Sequence, residues 1–93
     1  MSTARRITFV VTGRVQGVAF RAHCCSEAER LQLSGFVRNR PDGAVEGEAE
    51  GGGAQIAAFC TWLHRGSQWS KVVCVEVEEL AATGAPPGFG VLR

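Results

Sequence analysis

The chain has 93 residues, with ten Lys and Arg against nine Asp and Glu, so its formal net charge is +1 and its pI is about 7.7. This balance argues against general attraction to nucleic acid or membrane surfaces, and any positive field must be local. Hydrophobic residues make up 45% of the chain, which suits one domain over residues 1–93 with a core that needs neither metal nor disulfides.

Targeting signals and cysteine usage indicate the compartment. Residues 1–12 lack a long apolar segment, and no run approaches the roughly 18 apolar residues of a membrane span, so we expect neither a signal peptide nor a membrane segment. Cys24 and Cys25 are neighbours on a predicted helix, and Cys60 and Cys74 lie far along the chain. We therefore expect four free thiols and a cytoplasmic location.

The first half of the chain predicts a strand, a helix and a second strand. Residues 1–5 are a polar start that is expected to fray, and residues 6–12 alternate as a strand does. A helix is predicted from Arg21 to about Leu31, and Ser34-Gly35 ends it before a strand over residues 36–40. The buried face of that helix carries Phe20, Cys24, Ala28 and Leu31.

A hairpin is predicted around Pro41-Asp42-Gly43, a tight-turn sequence between two extended runs. Residues 44–50 form the third strand, antiparallel to the second. On its solvent face arginines pair with glutamates, namely Arg38 and Arg40 with Glu46 and Glu48. Asn39 then lies on the opposite face, which the helices cover.

The second half predicts another helix and two strands. Gly51-Gly52-Gly53 ends the hairpin, and a second helix buries Ile56, Phe59, Cys60 and Leu63 and ends near Gly66. A fourth strand covers residues 70–80, where Val72 conflicts with the alternation of Val73, Val75 and Val77 and predicts a bulge or burial on both faces. A loop over residues 81–87 and a short strand over 88–93 complete the chain.

This order of elements predicts the fold class. It is β-α-β-β-α-β with an added terminal strand, the order of an α+β ferredoxin-like sandwich. Two helices of this length cover one face of an antiparallel sheet.

The segment from Gly13 to Arg21 joins the first strand to the first helix. Backbone N–H groups at a helix start have no partner within the helix and favour an anion, as does the helix dipole. Gly13 and Gly17 allow a close backbone approach, and Arg21 adds a planar, permanent cation. The pattern therefore indicates either a phosphoryl-binding loop or an ordinary connection with a surface arginine.

Two motifs, in this order and spacing, resemble the acylphosphatase family. They are Gly13-x-Val15-Gln16-Gly17-Val18-x-Phe20-Arg21 and Gly35-Phe36-Val37-x-Asn39-x-x-Asp42-Gly43-x-Val45-Glu46. The similarity continues through Phe59-x-x-Trp62-Leu63-x-x-Gly66 and Val72 to Phe89. It covers nearly the whole chain.

The resemblance implies hydrolysis of acyl phosphates to a carboxylate and inorganic phosphate, by a cytosolic enzyme that needs no metal or other cofactor. It implies that Arg21 binds the phosphoryl group and that Asn39 orients the attacking water. The backbone phosphate cradle maps onto Val15, Gln16, Gly17, Val18, Ala19 and Phe20. The implied partners are a small acyl phosphate and an inorganic phosphate or similar anion, with no nucleic acid or membrane, and the default state is a monomer.

Three positions depart from the family pattern. Gln32 stands where a glycine is usual; if the helix ends there in a left-handed residue, the cost is about 1–2 kcal/mol. Phe36 replaces a commoner tryptophan. Ser67 stands where proline often follows Gly66, and we expect a looser turn there.

Other interpretations of the same residues remain open. His23, Cys24 and Cys25, with His64 near Cys60, are candidate metal ligands or structural residues. Cys24 or Cys25 is a candidate nucleophile beside bound phosphate. Trp62 and Trp69 form a binding platform or lie half-buried at helix edges. The arginines of the sheet face (Arg5, Arg6, Arg14, Arg38, Arg40) are candidates for RNA binding. The main functional alternative is a non-catalytic module that binds phosphate or carboxylate.

Overall fold

The structure is a computed structural model that describes residues 3–92. It contains five strands and two helices in the predicted order. In chain order these are β1 (Ala4–Arg14), α1 (Phe20–Arg30), β2 (Ser34–Asn39), β3 (Val45–Gly52), α2 (Gly53–Arg65), β4 (Lys71–Leu80) and β5 (Gly88–Val91).

The five strands form one sheet in the order β4-β1-β3-β2-β5. β1 pairs antiparallel with β3 and β4, and β2 pairs antiparallel with β3. β5 departs from the prediction because it runs parallel to β2, so the sheet is mixed. The ferredoxin-like α+β class is as predicted, and only the expectation of a wholly antiparallel sheet is wrong.

The core lies between the sheet and the two helices. Ile7, Phe9 and Val11 alternate along β1 on the helix side and are at most 1% exposed, which is the pattern of a strand with one buried face. Phe59 of α2 packs edge-on against Phe9, with ring centroids 5.5 Å apart, and against Phe89 of β5 at 5.9 Å. These contacts tie the first and last strands to one helix.

Several boundaries differ from the predicted ones. β1 already begins at Ala4, inside the segment expected to fray, and Met1 and Ser2 lie outside the described residues. β3 continues through Gly52, and α2 follows immediately at Gly53. The last predicted strand ends at Val91, and Arg93 lies outside the described residues.

The predicted irregularity at Val72 is a β-bulge. The pairing of β1 with β4 shifts between Thr12, which faces Cys74, and Gly13, which faces Val72. Val73 is the extra residue, and it is 75% exposed. Because of this shift, Val72 packs against the core together with Val75.

Of the two ways in which α1 could end, the structure has the one with a left-handed residue at Gln32. Gln32 has φ 58°, its N–H donates to the Glu29 carbonyl, and the Leu33 N–H donates to the Ala28 carbonyl. This hydrogen-bond pair is a Schellman motif. Its left-handed position carries a glutamine, which has a Cβ that glycine lacks.

The connection from β4 to β5 is anchored by Glu50 at the end of β3. The Glu50 carboxylate accepts hydrogen bonds from the Thr83 hydroxyl and N–H, both at 2.6 Å, and from the Gly84 N–H at 2.7 Å. These bonds, chiefly the one from the Thr83 hydroxyl, hold the pKa of Glu50 below its usual value. The connection is thereby attached to β3, and the chain then continues to the far edge of the sheet, where β5 pairs with β2.

Within residues 3–92, neither helix is long and apolar enough to cross a membrane.

Candidate active site

The loop between β1 and α1 begins beside β4. Gly13 has φ 125°, and a Cβ on it would collide with the Lys71 carbonyl oxygen, so this position requires glycine. Val15 and Phe20 are each 1% exposed and fix the two ends of the loop in the core. Between them, Gly17 has φ 73° and Ala19 has φ 60°. The turn is therefore tight and has two left-handed residues, which are separated by one residue.

The backbone of this loop presents a row of hydrogen-bond donors. Ala19 is the residue before α1, and alanine has no side-chain oxygen with which to cap the helix. The first bond into the helix runs from the His23 N–H to the Ala19 carbonyl at 3.1 Å. Among residues 3–92, none accepts a hydrogen bond from the backbone N–H groups of residues 16–22. Donors at a helix start with left-handed neighbours form the kind of concavity that binds anions.

A cavity of about 220 Å³ opens above these donors. Its lining includes Arg21, which belongs to the first turn of α1, and Val91 at the end of β5. Within the described residues no carboxylate forms an ion pair with Arg21. The guanidinium charge is thus available to an anion in the cavity. The other lining residues are Val15, Gly17, Ala19, Phe20 and Ala22.

The Gln16 side chain links this loop to the β2–β3 hairpin. Its amide Nε2 donates to the Arg40 carbonyl at 2.8 Å and to the Ala44 carbonyl at 3.0 Å. The hairpin turn is itself braced, because the Asp42 carboxylate accepts the Ala44 N–H at 3.0 Å. That bond, with Arg40 adding its charge, holds the pKa of Asp42 below its usual value. Gln16 therefore fixes the loop against the residue that follows Asn39.

Asn39 ends β2 and is exposed. It pairs with Val45, whose neighbour on β1 is Val11, so it lies at the end of the sheet where β1 enters the loop. It is not among the residues that line the 220 Å³ cavity. Two positions before it, Val37 is buried in the core, and strand alternation puts Asn39 on that same helix-covered face.

The solvent face of the hairpin carries the predicted ion pairs. Arg38 Nε lies 2.7 Å from Glu46, and Arg40 contacts the same carboxylate at 3.8 Å. Glu48 pairs instead with Arg6 of β1, at 2.7 Å. Three of the five arginines of the RNA interpretation, Arg6, Arg38 and Arg40, are thus paired with carboxylates, which lowers the positive field of this face.

The turn between α2 and β4 also contacts the loop. Ser67 is 7% exposed, and its hydroxyl donates to the Val18 carbonyl at 3.1 Å. The Ser67 carbonyl accepts the Ser70 N–H at 3.1 Å and the Ser70 hydroxyl at 2.8 Å. The turn that was expected to be looser is therefore held by hydrogen bonds of both the hydroxyl and the carbonyl of Ser67.

The remaining candidates are distributed over the fold. Cys24 is fully buried and Cys74 is exposed, and all four cysteines are free, as predicted. Burial raises the pKa of the Cys24 thiol, which works against a thiolate nucleophile there. Within residues 3–92 no three His, Cys, Asp or Glu side chains are grouped as metal ligands. Trp62 is buried against Phe20, with ring centroids 5.2 Å apart, whereas Trp69 is 65% exposed.

Three features of the site were missed from the sequence. The motif suggested only a backbone contribution from Gln16, whereas its side chain bridges to the hairpin. Ser67 and Val91 reach the loop from elements far along the chain. A polar residue directly after Gly66, at the end of a helix, was the one available signal for Ser67.

Comparison with known proteins shows the family to which the chain belongs. The acylphosphatase family model matches residues 7–91. The chain belongs to the acylphosphatase family. It is similar to an acylphosphatase of Methylococcus capsulatus, with 44% identity over 89 residues that cover 96% of this chain and 97% of the relative. An acylphosphatase of Pseudomonas paraeruginosa is 51% identical over 83 residues, which cover 89% and 90% of the two chains.

The fold agrees with that membership. The crystal structure of an acylphosphatase from Bacillus subtilis superposes with a TM-score of 0.91 at 36% identity, covering 96% of this chain and 99% of that one. Family and fold together support the expected activity, the hydrolysis of acyl phosphates. The substrate is accordingly a small-molecule acyl phosphate.

Proposed function

We propose that this acylphosphatase holds the phosphoryl group of its substrate with Arg21 and the backbone of residues 15–20, and that Asn39 orients the attacking water. The observation that carries the proposal is the shared cavity, in which Arg21 faces the same space as the free donors of the loop. The Gln16 bridge supports the assignment of Asn39, because it joins that loop to the residue after Asn39.

The loop and Arg21 supply most of what phosphoryl transfer requires. The reaction depends chiefly on positioning and on stabilising the charge of the phosphoryl oxygens. Backbone N–H groups and a guanidinium that are already in place stabilise this charge without reorganisation. In kinases Mg²⁺ stabilises the same charge. We therefore propose that hydrolysis needs no metal or other cofactor.

The leaving group needs no acid. An acyl phosphate releases a carboxylate, whose conjugate acid has a pKa of about 4–5 by analogy with side-chain carboxyls. The water oxygen attacks phosphorus, the bond between phosphorus and the acyl oxygen breaks, and the carboxylate leaves with the electron pair. A proton of the water passes to a phosphoryl oxygen, and the products are a carboxylate and dihydrogen phosphate.

Asn39 acts on the water. Its amide oxygen accepts a hydrogen bond from the water, and its NH₂ donates toward the phosphoryl group, which holds the attacking oxygen in line. An amide is too weak a base to remove the proton, so the substrate oxygen receives it. His23, which is exposed on α1, takes no part; His23→Gln should leave the pH dependence of turnover unchanged.

The test measures phosphate release from benzoyl phosphate and, separately, binding of inorganic phosphate. Asn39→Ala should lose about 10²–10³-fold in kcat, as removal of a preorganised polar group does, with phosphate affinity nearly intact. Arg21→Lys should weaken binding and turnover together, since lysine keeps the charge but loses the two-pronged contact. Near-normal turnover by Asn39→Ala would remove its assigned role.

Matched controls come from the same segments. Arg14→Lys makes the same change at the arginine just before the loop, and Arg38→Ala truncates the neighbour of Asn39 on the solvent face; both should keep turnover within about twofold. Phosphate binding by the wild type without any release from benzoyl phosphate would favour the binding module over the enzyme. We further propose that the protein acts as a cytoplasmic monomer, without nucleic acid or membrane as a partner.

A further inference from the structure

We propose that Ser67 is a positioning residue for the phosphate cradle: its hydroxyl holds the Val18–Ala19 peptide so that the Ala19 N–H points into the cavity. This inference rests on the proposed function of the loop. It gives a task to a buried side chain that the reaction itself does not use.

The direction of the Ala19 N–H follows from the geometry of one peptide group. In a trans peptide the carbonyl of one residue and the N–H of the next point in opposite directions, and all peptide bonds of the described residues are trans. Ser67 Oγ donates to the Val18 carbonyl from outside the loop at 3.1 Å. The Ala19 N–H therefore points away from Ser67, and Ala19 is one of the residues that line the cavity, whereas Ser67 is not.

The conformation of Ala19 explains why this peptide needs to be held. Ala19 has φ 60° and ψ 20°, a left-handed conformation that is unfavourable for a residue with a Cβ. Rotating the Val18–Ala19 peptide would return Ala19 to negative φ and would turn its N–H out of the cavity. Such a rotation changes only ψ of Val18 and φ of Ala19. The bond from Ser67 opposes it.

Ser67 is itself fixed by the turn in which it lies. Gly66 has φ 72°, and a Cβ on it would collide with the Ser70 hydroxyl and would lie 3.3 Å from Phe20 Cε2. The turn is thus packed closely against the residue that follows Ala19. Ser70 donates twice to the Ser67 carbonyl, through its N–H and its hydroxyl. The Ser67 hydroxyl is held in one place by a turn that has little freedom.

The experiment compares Ser67→Ala with Ser70→Ala. Each removes one hydroxyl from the same turn, but only the first removes the bond to Val18. A hydrogen bond contributes about 0.5–1.5 kcal/mol net, so Ser67→Ala should weaken inorganic phosphate binding about three- to tenfold and raise KM for benzoyl phosphate similarly. Ser70→Ala keeps both the Ser70 N–H bond to the Ser67 carbonyl and the Ser67 bond to Val18, so it should change either quantity less than about twofold. Urea unfolding of both variants shows that each is folded under the assay conditions.

Amide NMR supplies a readout that a loss of stability alone does not move. Saturating phosphate should shift the Ala19 amide signal of the wild type strongly, and the shift should shrink in Ser67→Ala but persist in Ser70→Ala. Unchanged phosphate affinity in Ser67→Ala, or equal losses in both variants, overturns the role of Ser67. If the wild-type Ala19 signal does not respond to phosphate, the proposed cradle itself fails, and the two failures are thereby distinguished.

Discussion

Replacing Gln32 with glycine should stabilise this protein. Gln32 holds φ 58° in the motif that ends α1, and its side chain is exposed. A left-handed conformation costs a residue with a Cβ about 1–2 kcal/mol, and glycine avoids this cost. Glycine also has greater freedom in the unfolded chain, which lowers the free energy of unfolding by about 0.4–1 kcal/mol. The net gain is about 0.5–1 kcal/mol, which for a domain of this size raises Tm by about 2–8 °C.

Urea denaturation and a thermal melt measure the gain. Gln32→Ala is the matched control, because it removes the same polar side chain but keeps the Cβ in the left-handed position; it should show no gain. Turnover of benzoyl phosphate should stay at the wild-type level in both variants, since Gln32 does not line the cavity. If Gln32→Gly is no more stable than Gln32→Ala, the cost assigned to this conformation is wrong.

Four other experiments give shorter tests. Glu50→Gln should lower the free energy of unfolding at pH 7. The pKa of Glu50 is lowered in the folded state, so its contribution to stability is present above the unfolded pKa of about 4.3 and is lost as the pH falls through the folded pKa. Denaturation at pH 7 and pH 3 should therefore show that the stabilities of the variant and the wild type converge at the lower pH. Gln16→Ala should lower kcat several-fold more than it lowers phosphate affinity, because the donors of the loop remain while the hairpin is released; equal losses would contradict this. Charge reversal of Glu46 should cost well under ~1 kcal/mol in urea unfolding, because its partners are largely solvated. Maleimide should modify Cys74 well before Cys24, as mass spectrometry of timed samples can show, and this early labelling should leave turnover in place.

Local patterns predicted most of the fold because each element carries its own signal. The alternation along β1, the Pro41-Asp42-Gly43 turn and the helical spacing of Phe59 and Leu63 depend on near neighbours in sequence. The bulge at Val72 was visible as a break in alternation. What alternation does not encode is the partner of a strand or its direction, and the parallel pairing of β5 with β2 is of this kind.

The candidate site could likewise be predicted only in part from the sequence. Arg21, Asn39 and the loop stand in motifs with characteristic spacing, and their assignment came from resemblance as much as from helix-start chemistry. The side-chain bonds of Gln16 and Ser67 span 24 and 49 residues of sequence, respectively. No periodicity relates such pairs. Physical arguments from the sequence therefore suggest which groups meet the ligand more readily than which groups hold them in place.

The parallel strand β5 has a thermodynamic consequence through Val91. The cavity joins a loop near residue 17 to the last strand, which is four residues long and lies at the sheet edge. An anion that fills the cavity binds the native state alone, and by mass action it stabilises that state by about 2.7 kcal/mol at a hundredfold excess over Kd. Local opening of a short edge strand would break the wall of the cavity, so phosphate bound there as proposed should slow amide hydrogen exchange in β5. Binding of an anion in the cavity and the ordering of β5 would then be thermodynamically coupled.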